Sequence, residues 1–210
     1  MSNPNASNHS SRLVIRGNRA LPYIALTYDA GAGDSETDAI LSVLSRHRIP
    51  STFFLTGIWA ERFPDLAVRM VREGHEIGNH SYAHPDMSKI THDEMLETVL
   101  QGEHAIEQVT GVNPKPLFRQ PFGSFNDEIL CAVGEAGYPY SIYWDVDPVD
   151  WKSPPLRVIV NRILYKTENG SIILLHLDGN CAAKATDYVI RNLKTRGFQF
   201  VKISELIAHL

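Results

Sequence analysis

Residues 23–31 spell Tyr-Ile-Ala-Leu-Thr-Tyr-Asp-Ala-Gly, and this stretch sets the pattern from which the fold can be predicted. Its apolar, β-rich part, residues 23–28, predicts a strand, and Asp29 follows that strand directly. Similar short runs then alternate with stretches of helical periodicity along the chain. This alternation is typical of an α/β protein whose parallel strands are joined by helices. About seven βα units predict a complete or incomplete (β/α) barrel.

The other elements are predicted from the same signals. Capping-box spacing starts a helix at Thr91, with Glu94 three positions on, and the same spacing of Ser35 and Asp38 predicts an earlier helix start. Further helices are predicted near residues 125–136 and 156–166. Another is predicted to end at Gly197, and a short one to start at Ser204. Further strands are predicted at residues 52–55, 74–79, 117–118, 139–143, 171–175 and 198–201.

Length and composition indicate one domain, because 210 residues with 43% hydrophobic content can bury a full core. Residues 1–20 lack periodicity and are expected to be a flexible tail or a weakly held edge segment before a single domain at 21–210. A net charge of −4 without long runs of like charge offers no binding surface for nucleic acid. No apolar stretch is long enough to span a membrane, and residues 1–20 lack the apolar centre of a signal peptide, which leaves cytoplasmic and exported locations open. Cys131 and Cys181 indicate neither a disulfide framework nor a thiolate metal site.

Candidate catalytic residues follow the predicted strands, where a barrel places its active site. Asp29 ends the first strand, although an Asp in such a loop is more often a turn residue. His80 and His84 are four positions apart, a spacing that lets two imidazoles share a metal ion. Nine histidines make some such pair expected by chance, but the position after a strand favours the metal site.

Three later segments add charged groups at strand ends. Arg119, before a Pro and Gly turn, could orient a carboxylate by a bidentate contact, or form a purely structural ion pair. Residues 145–151, Asp-Val-Asp-Pro-Val-Asp-Trp, place three carboxylates beside an indole, which suits sugar binding or the tuning of a histidine as well as solvated loop acids. His176 leaves a strongly apolar run, a position that is more often structural when considered alone.

Five of these segments follow one another in a characteristic order: Asp-x-Gly, His-Ser-x-x-His, Arg-x-Pro-x-Gly, Asp-x-x-Asp-Trp and Leu-x-His. In this order they resemble the polysaccharide deacetylases of the NodB homology type, carbohydrate esterase family 4. The resemblance runs from about Tyr23 to His209. It implies a distorted (β/α) barrel and a metal-dependent hydrolase that removes N- or O-linked acetyl groups from a polysaccharide such as chitin, peptidoglycan or xylan. It further implies an extracellular or envelope location. The oligomeric state is not indicated.

The resemblance also implies a role for each candidate. A divalent metal, zinc first, with cobalt or nickel as alternatives, would be held by His80 and His84. The remaining roles are a general base, Asp29; its orienting cation, Arg119; a general acid, His176; the carboxylate that tunes it, Asp147; an oxyanion-binding backbone N–H, that of Gln120; and the walls of the acetyl pocket, Trp151 and Leu174. Such an arrangement suits amide hydrolysis, because the cation activates water while a raised histidine pKa allows protonation of the leaving nitrogen.

The chain departs from the family pattern at Ala30, where a second Asp usually ligates the metal. Three arrangements are open: two histidines completed by water, a substitute carboxylate from Asp34, or Asp29 itself on the metal. Besides a deacetylase, the sequence therefore allows a metal-free, silent carbohydrate-binding relative. A hydrolase of the same fold that acts on a small amide is the third hypothesis.

Overall fold

A computed structural model describes residues 10–210. Its eight β-strands are, in chain order, β1 Arg12–Val14, β2 Tyr23–Ala30, β3 Thr52–Leu55, β4 Glu76–Asn79, β5 Leu117–Phe118, β6 Tyr140–Ile142, β7 Ile172–His176 and β8 Gln199–Phe200. The α-helices are α1 Thr37–His47, α2 Gly57–Arg62, α3 Pro64–Arg72, α4 His92–Thr110, α5 Asp127–Glu135, α6 Leu156–Lys166, α7 Ala182–Thr195 and α8 Ile203–Ile207. None of the helices in this part of the chain is long and apolar enough to cross a membrane.

The strands form one parallel sheet in the order β1-β6-β5-β4-β3-β2-β7, with β8 added to β2. The segment after β6 bends toward β7, where Val146 forms an isolated bridge with Ile173. This bridge brings the two sides of the sheet together over a short distance only. The predicted distorted (β/α) barrel is therefore confirmed, with seven strands along the main path of the sheet.

Strand β2 shows why the barrel forms around residues 23–30. Its even-numbered side chains, such as Tyr28, pack against the surrounding helices in the largest hydrophobic cluster. Its odd-numbered side chains point the other way, because successive residues of a strand alternate between faces. Ala25 belongs to a second cluster that includes Phe54 and residues of α8. Both faces are buried, which explains the nearly continuous apolar run.

Two expectations for the elements need correction. Residues 12–14, expected to lie in a flexible tail or a weakly held edge segment, form strand β1 at the edge of the sheet, because Val14 is buried and the strand pairs with β6. Residues 1–9 of the expected tail lie outside the described residues. The helix predicted to start at Ser35 begins at Thr37 instead, and no side chain caps its N-terminus.

Candidate active site

The candidate residues lie where neighbouring strands end. Asp29 and His176 are directly paired in the register of β2 and β7, so the two side chains leave the sheet side by side. His80 follows β4, and Arg119 follows β5. Because all these strands are parallel, their carboxyl ends open on the same rim of the barrel.

Arg119 is fully buried and holds Asp29 in place. Its Nη1 donates to Asp29 Oδ1 at 2.7 Å and to Thr27 Oγ1 at 2.9 Å, and its guanidinium lies 4.0 Å from the centre of the Phe54 ring. Its Nε donates to the carbonyl of Ile142 at 3.0 Å. The contact with Asp29 therefore engages one carboxylate oxygen and is not the bidentate pair that was expected. The other donors are used to fix the guanidinium itself.

Asp29 remains ionised in this setting. Burial alone would raise its pKa, but the positive charge and hydrogen bond of Arg119 hold the pKa of the carboxyl below its usual range. Its second oxygen, Oδ2, faces Nε2 of His80 at 3.5 Å. An anionic oxygen is thus available on the side of the carboxylate that Arg119 does not occupy.

His80 and His84 form a pair of neutral imidazoles after β4. Their ring centres are 4.8 Å apart. Burial lowers the pKa of His80 to about 4 and also lowers the pKa of His84. His80 Nδ1 lies 2.7 Å from the carbonyl oxygen of Arg119 and must donate to it, which leaves a lone pair on Nε2. His84 has a left-handed backbone, φ 58°, and its N–H donates to Ser81 Oγ.

These two imidazoles fit a divalent cation, because both are in the neutral form that ligates a metal and His80 presents its free lone pair toward an anionic oxygen. Ala30 supplies no ligand, and within residues 10–210 no three His, Cys, Asp or Glu side chains converge closely enough to hold a metal. The loop that carries Asp34 is pinned at Gly33, whose carbonyl accepts from Trp59 Nε1 at 2.9 Å and whose N–H donates to Asp178. Asp34 is therefore not in place as a substitute ligand.

The carboxylate that contacts His176 is Asp150, not Asp147 as expected. Asp150 is fully buried, and its Oδ1 lies 2.8 Å from His176 Nδ1 while its Oδ2 accepts the backbone N–H of His176 at 2.9 Å. Burial alone would lower the pKa of His176, but the hydrogen bond and charge of Asp150 raise it above the usual value. The side chain of Asp147 instead accepts the N–H of Val149, a residue with a left-handed backbone at φ 59°. The local turn thus occupies Asp147 and brings Asp150 under the imidazole.

The remaining predicted residues surround this centre in different ways. Gln120 is buried and its side-chain amide donates to Ser141 Oγ at 2.6 Å, so only its backbone is left for a substrate. Leu174 is buried two residues before His176, on the same face of β7. Trp151 adjoins Asp150, and 57% of its surface is exposed.

Comparison with known proteins decides the family. A family model described as polysaccharide deacetylase matches residues 16–141, more than half of the chain. A chitooligosaccharide deacetylase of Sinorhizobium fredii is 38% identical over 165 residues, 79% of this chain and 76% of that protein.

The chain belongs to the polysaccharide deacetylase family.

Solved structures of this family include both active and inactive members. The peptidoglycan N-acetylglucosamine deacetylase Bc1960 superposes with a TM-score of 0.87 at 32% identity, covering 94% of each chain. BA3943 of Bacillus anthracis, described as a CE4 family pseudoenzyme, gives a TM-score of 0.88 at 32% identity over 94% of this chain and 69% of that chain. A mutant of BA3943 is described as having restored enzymatic activity. Other curated relatives are longer, and the chain spans 60% and 38% of two from Bacillus subtilis.

Sequence reasoning missed two residues of this polysaccharide deacetylase site. Thr27 links Arg119 to the sheet, accepting from the guanidinium and donating to the carbonyl of Ile173 at 2.8 Å. Its odd position on β2, shared with Asp29, could have indicated it. Asp150 lay within a recognised segment, but choosing it over Asp147 required the turn geometry at Val149.

Proposed function

We propose that this protein hydrolyses acetyl groups from N-acetylated amino sugars of a polysaccharide. The observation that carries the proposal is the pairing of Asp29 with His176 across β2 and β7. One is an ionised carboxylate held by Arg119, and the other is an imidazole whose pKa is raised above its usual value. A base and an acid on adjacent strand ends are what amide hydrolysis requires.

In the proposed reaction, Asp29 Oδ2 accepts a proton from the attacking water while Arg119 retains Oδ1. The backbone N–H of Gln120 donates to the developing oxyanion. In other hydrolases, removal of one such donor lowers the rate about 10²–10³-fold. Asp150 stabilises the protonated form of His176, which donates its proton to the leaving nitrogen as the C–N bond breaks. Leu174 and Trp151 line the acetyl group. Acetate and a free amine are the products.

A divalent metal, zinc in the first place, belongs to this proposal. His80 and His84 would hold it, and a bound cation lowers the pKa of water and stabilises negative charge on the carbonyl oxygen. With Ala30 in place of a ligating side chain, His80 and His84 would be the two protein ligands and water would complete the coordination. We therefore expect this metal site to have a lower affinity than a site with three protein ligands.

The substrate class is inferred from relatives. One is a chitooligosaccharide deacetylase and others are peptidoglycan N-acetylglucosamine deacetylases from Bacillus cereus, 36% and 34% identical. All these names specify an N-acetylated glucosamine polymer. We therefore favour N-deacetylation over removal of O-acetyl groups from xylan.

The test is acetate release from chitooligosaccharides, peptidoglycan and acetylated xylan with added zinc or cobalt. We expect release from the first two and a loss of about 10²–10⁴-fold in the His176→Ala and Asp29→Asn variants. His92→Gln is the matched control, because His92 lies on α4 against Glu135 and away from the strand ends. No acetate from any substrate at saturating metal, or equal activity in all three variants, would contradict the proposal.

One observation favours a second candidate function, a silent carbohydrate-binding protein. Ala30 lacks the ligating side chain, and a protein of similar structure is described as a pseudoenzyme. This candidate predicts glycan binding without acetate release, even when metal is supplied in excess. Calorimetry with chitooligosaccharides, run beside the acetate assay, separates it from the deacetylase.

A further inference from the structure

Four aromatic side chains form a rim beside the site, and the catalytic roles proposed above use none of them. This aromatic rim consists of Phe122, Phe125, Tyr143 and Trp144. Phe122 lies against His84, with ring centres 4.5 Å apart. The Phe125 and Tyr143 rings form a T-shaped contact with their centres 5.5 Å apart, and Tyr143 stacks on Trp144 at 4.1 Å with the planes 7° apart. Trp144 in turn lies 5.6 Å from the guanidinium of Arg119. The rim therefore continues outward from the reacting groups.

The rim is built on tight turns that fix its rings. Gly123 has a left-handed backbone, φ 67°, and a Cβ there would lie 2.8 Å from Trp144 and 2.9 Å from Tyr143. The loop after β5 thus packs its backbone directly onto the stacked pair. Immediately after Phe125, the side chain of Asn126 caps α5 by accepting the N–H of Ile129 at 2.8 Å. Phe125 is consequently held between a turn and a capped helix.

Folding alone does not account for the exposed positions of Phe122 and Phe125, whereas Trp144 also packs against a core cluster. Phe122 is 67% exposed and Phe125 is 46% exposed, and neither belongs to a hydrophobic cluster of the barrel. Contiguous exposed apolar groups on a soluble protein mark binding surfaces. The segment 121–125 carries no charged residue, so it does not suit an ionic ligand. A pyranose ring does suit it, because one sugar face presents apolar C–H groups that can cover an aromatic ring.

We propose that Phe125, supported by Tyr143, forms an additional sugar-binding subsite for the polysaccharide unit next to the one that is deacetylated. The inference rests on the proposed function. Its occupant is the same glycan chain, because the rim reaches the reaction centre at the exposed Phe122, whose ring lies against His84. The enzyme then discriminates by chain length, and a single sugar or a small amide leaves this subsite empty.

The test compares kcat/KM for N-acetylglucosamine oligomers of two to six units. In Phe125→Ala and Phe125→Leu, the ratio of the value for the hexamer to the value for the dimer is expected to fall about tenfold, as the loss of one aromatic contact implies. Phe125→Tyr keeps a ring and should retain the ratio. Tyr165→Ala is the matched control, since Tyr165 is 91% exposed on α6 and outside the rim. An unchanged ratio in folded Ala and Leu variants overturns the subsite.

Calorimetric titration with the hexamer, at the same metal concentration, separates the two proposals. If wild type binds the hexamer without releasing acetate, and Phe125→Ala weakens that binding about tenfold, the subsite stands while the deacetylase activity fails. If acetate is released but Phe125→Ala binds and turns over the hexamer as wild type does, the activity stands and the subsite fails. No binding of the hexamer by wild type also overturns the subsite.

Discussion

At the scale of single residues, the acidic segment 145–151 assigns different tasks to carboxylates only three positions apart. Asp150 is buried under His176 and raises its pKa, whereas Asp147 caps a turn. We predict that Asp150→Asn lowers the pKa of His176, because the anionic acceptor of its Nδ1 proton is lost. His176 must be protonated to act as the acid, so the decline of kcat/KM with rising pH should then begin at lower pH.

NMR titration of the His176 imidazole measures this change without relying on activity. Asp147→Asn is the matched control and should leave the titration of His176 where it is in wild type. A His176 pKa that is the same in wild type and Asp150→Asn would contradict the assignment of Asp150.

Ala30 is the other residue at which one side chain changes the chemistry. We predict that Ala30→Asp raises the affinity for zinc about tenfold or more, because a carboxylate adds a third protein ligand to His80 and His84. Metal titration by calorimetry measures this gain. Ala30→Asn, nearly the same size but uncharged, should gain much less; equal affinities in all three proteins would show that position 30 does not reach the metal.

At the scale of elements, barrel closure between β6 and β7 depends on Asp145. Its Oδ1 accepts the N–H of Ile172 at 2.8 Å, and its Oδ2 accepts from Arg19 at 2.9 Å and from Ser171. We predict that Asp145→Ala lowers the free energy of unfolding by about 2–3 kcal/mol, because charge-assisted hydrogen bonds are lost and a strand N–H is left without its acceptor. Urea denaturation measures this loss. Asp147→Ala, which removes a single turn contact, should cost clearly less, and equal losses would contradict the role of Asp145 in closure.

Elements with a complete local signal could be predicted from sequence. The capping box of Thr91 and Glu94 is present in full, and α4 starts directly after it. The same spacing at Ser35 failed, because α1 starts two residues later, after an uncapped turn. Strand β1 could not be predicted, since its three residues form a strand only by pairing with β6, which is distant in sequence.

For the site, sequence could place residues at strand ends but could not orient them. Asp29, His80, His84, Arg119 and His176 follow strands that the apolar pattern reveals. The partner of His176 depends on the left-handed backbone of Val149. A β-branched residue does not favour this conformation locally, so the sequence gives no sign of it. The single-oxygen contact of Arg119 likewise depends on the carbonyls of Ile142 and Tyr143 at the end of β6, which engage the other guanidinium nitrogens.

At the scale of the whole molecule, the two ends of the barrel differ in the polar groups that they bury. The carboxyl ends carry the reacting groups, and several left-handed non-glycine residues, including His84, Phe122 and Val149, lie in the loops there. Such conformations persist only where the surrounding structure holds them. The amino ends contain buried polar groups without catalytic neighbours, among them His75, just before β4. Stability against acid is therefore expected to depend on this second end as well as on His80 and His84 at the first, because burial lowers the pKa of all three imidazoles.

We predict that the fold loses stability as the pH falls from about 7 to 4, in part through His75. This imidazole is 8% exposed, packs on Phe53, and finds no hydrogen-bond partner within the described residues for either nitrogen. Burial lowers its pKa to about 4, below the value of about 6.5 for an unfolded chain. Between these values the unfolded state binds more protons, so unfolding becomes more favourable as pH falls, by an amount of the order of 2–3 kcal/mol.

His75→Leu separates this contribution from that of other groups. Leucine cannot be protonated and leaves no buried nitrogen unpaired, so the variant should match or exceed wild type in stability at pH 7 and lose less of it by pH 4. His104→Leu is a control, because His104 is exposed on α4, and this variant should lose stability with falling pH as wild type does. The measurement is the free energy of unfolding in urea at half-unit pH steps. Parallel pH curves for wild type and His75→Leu would show that His75 takes up its proton as easily in the fold as outside it.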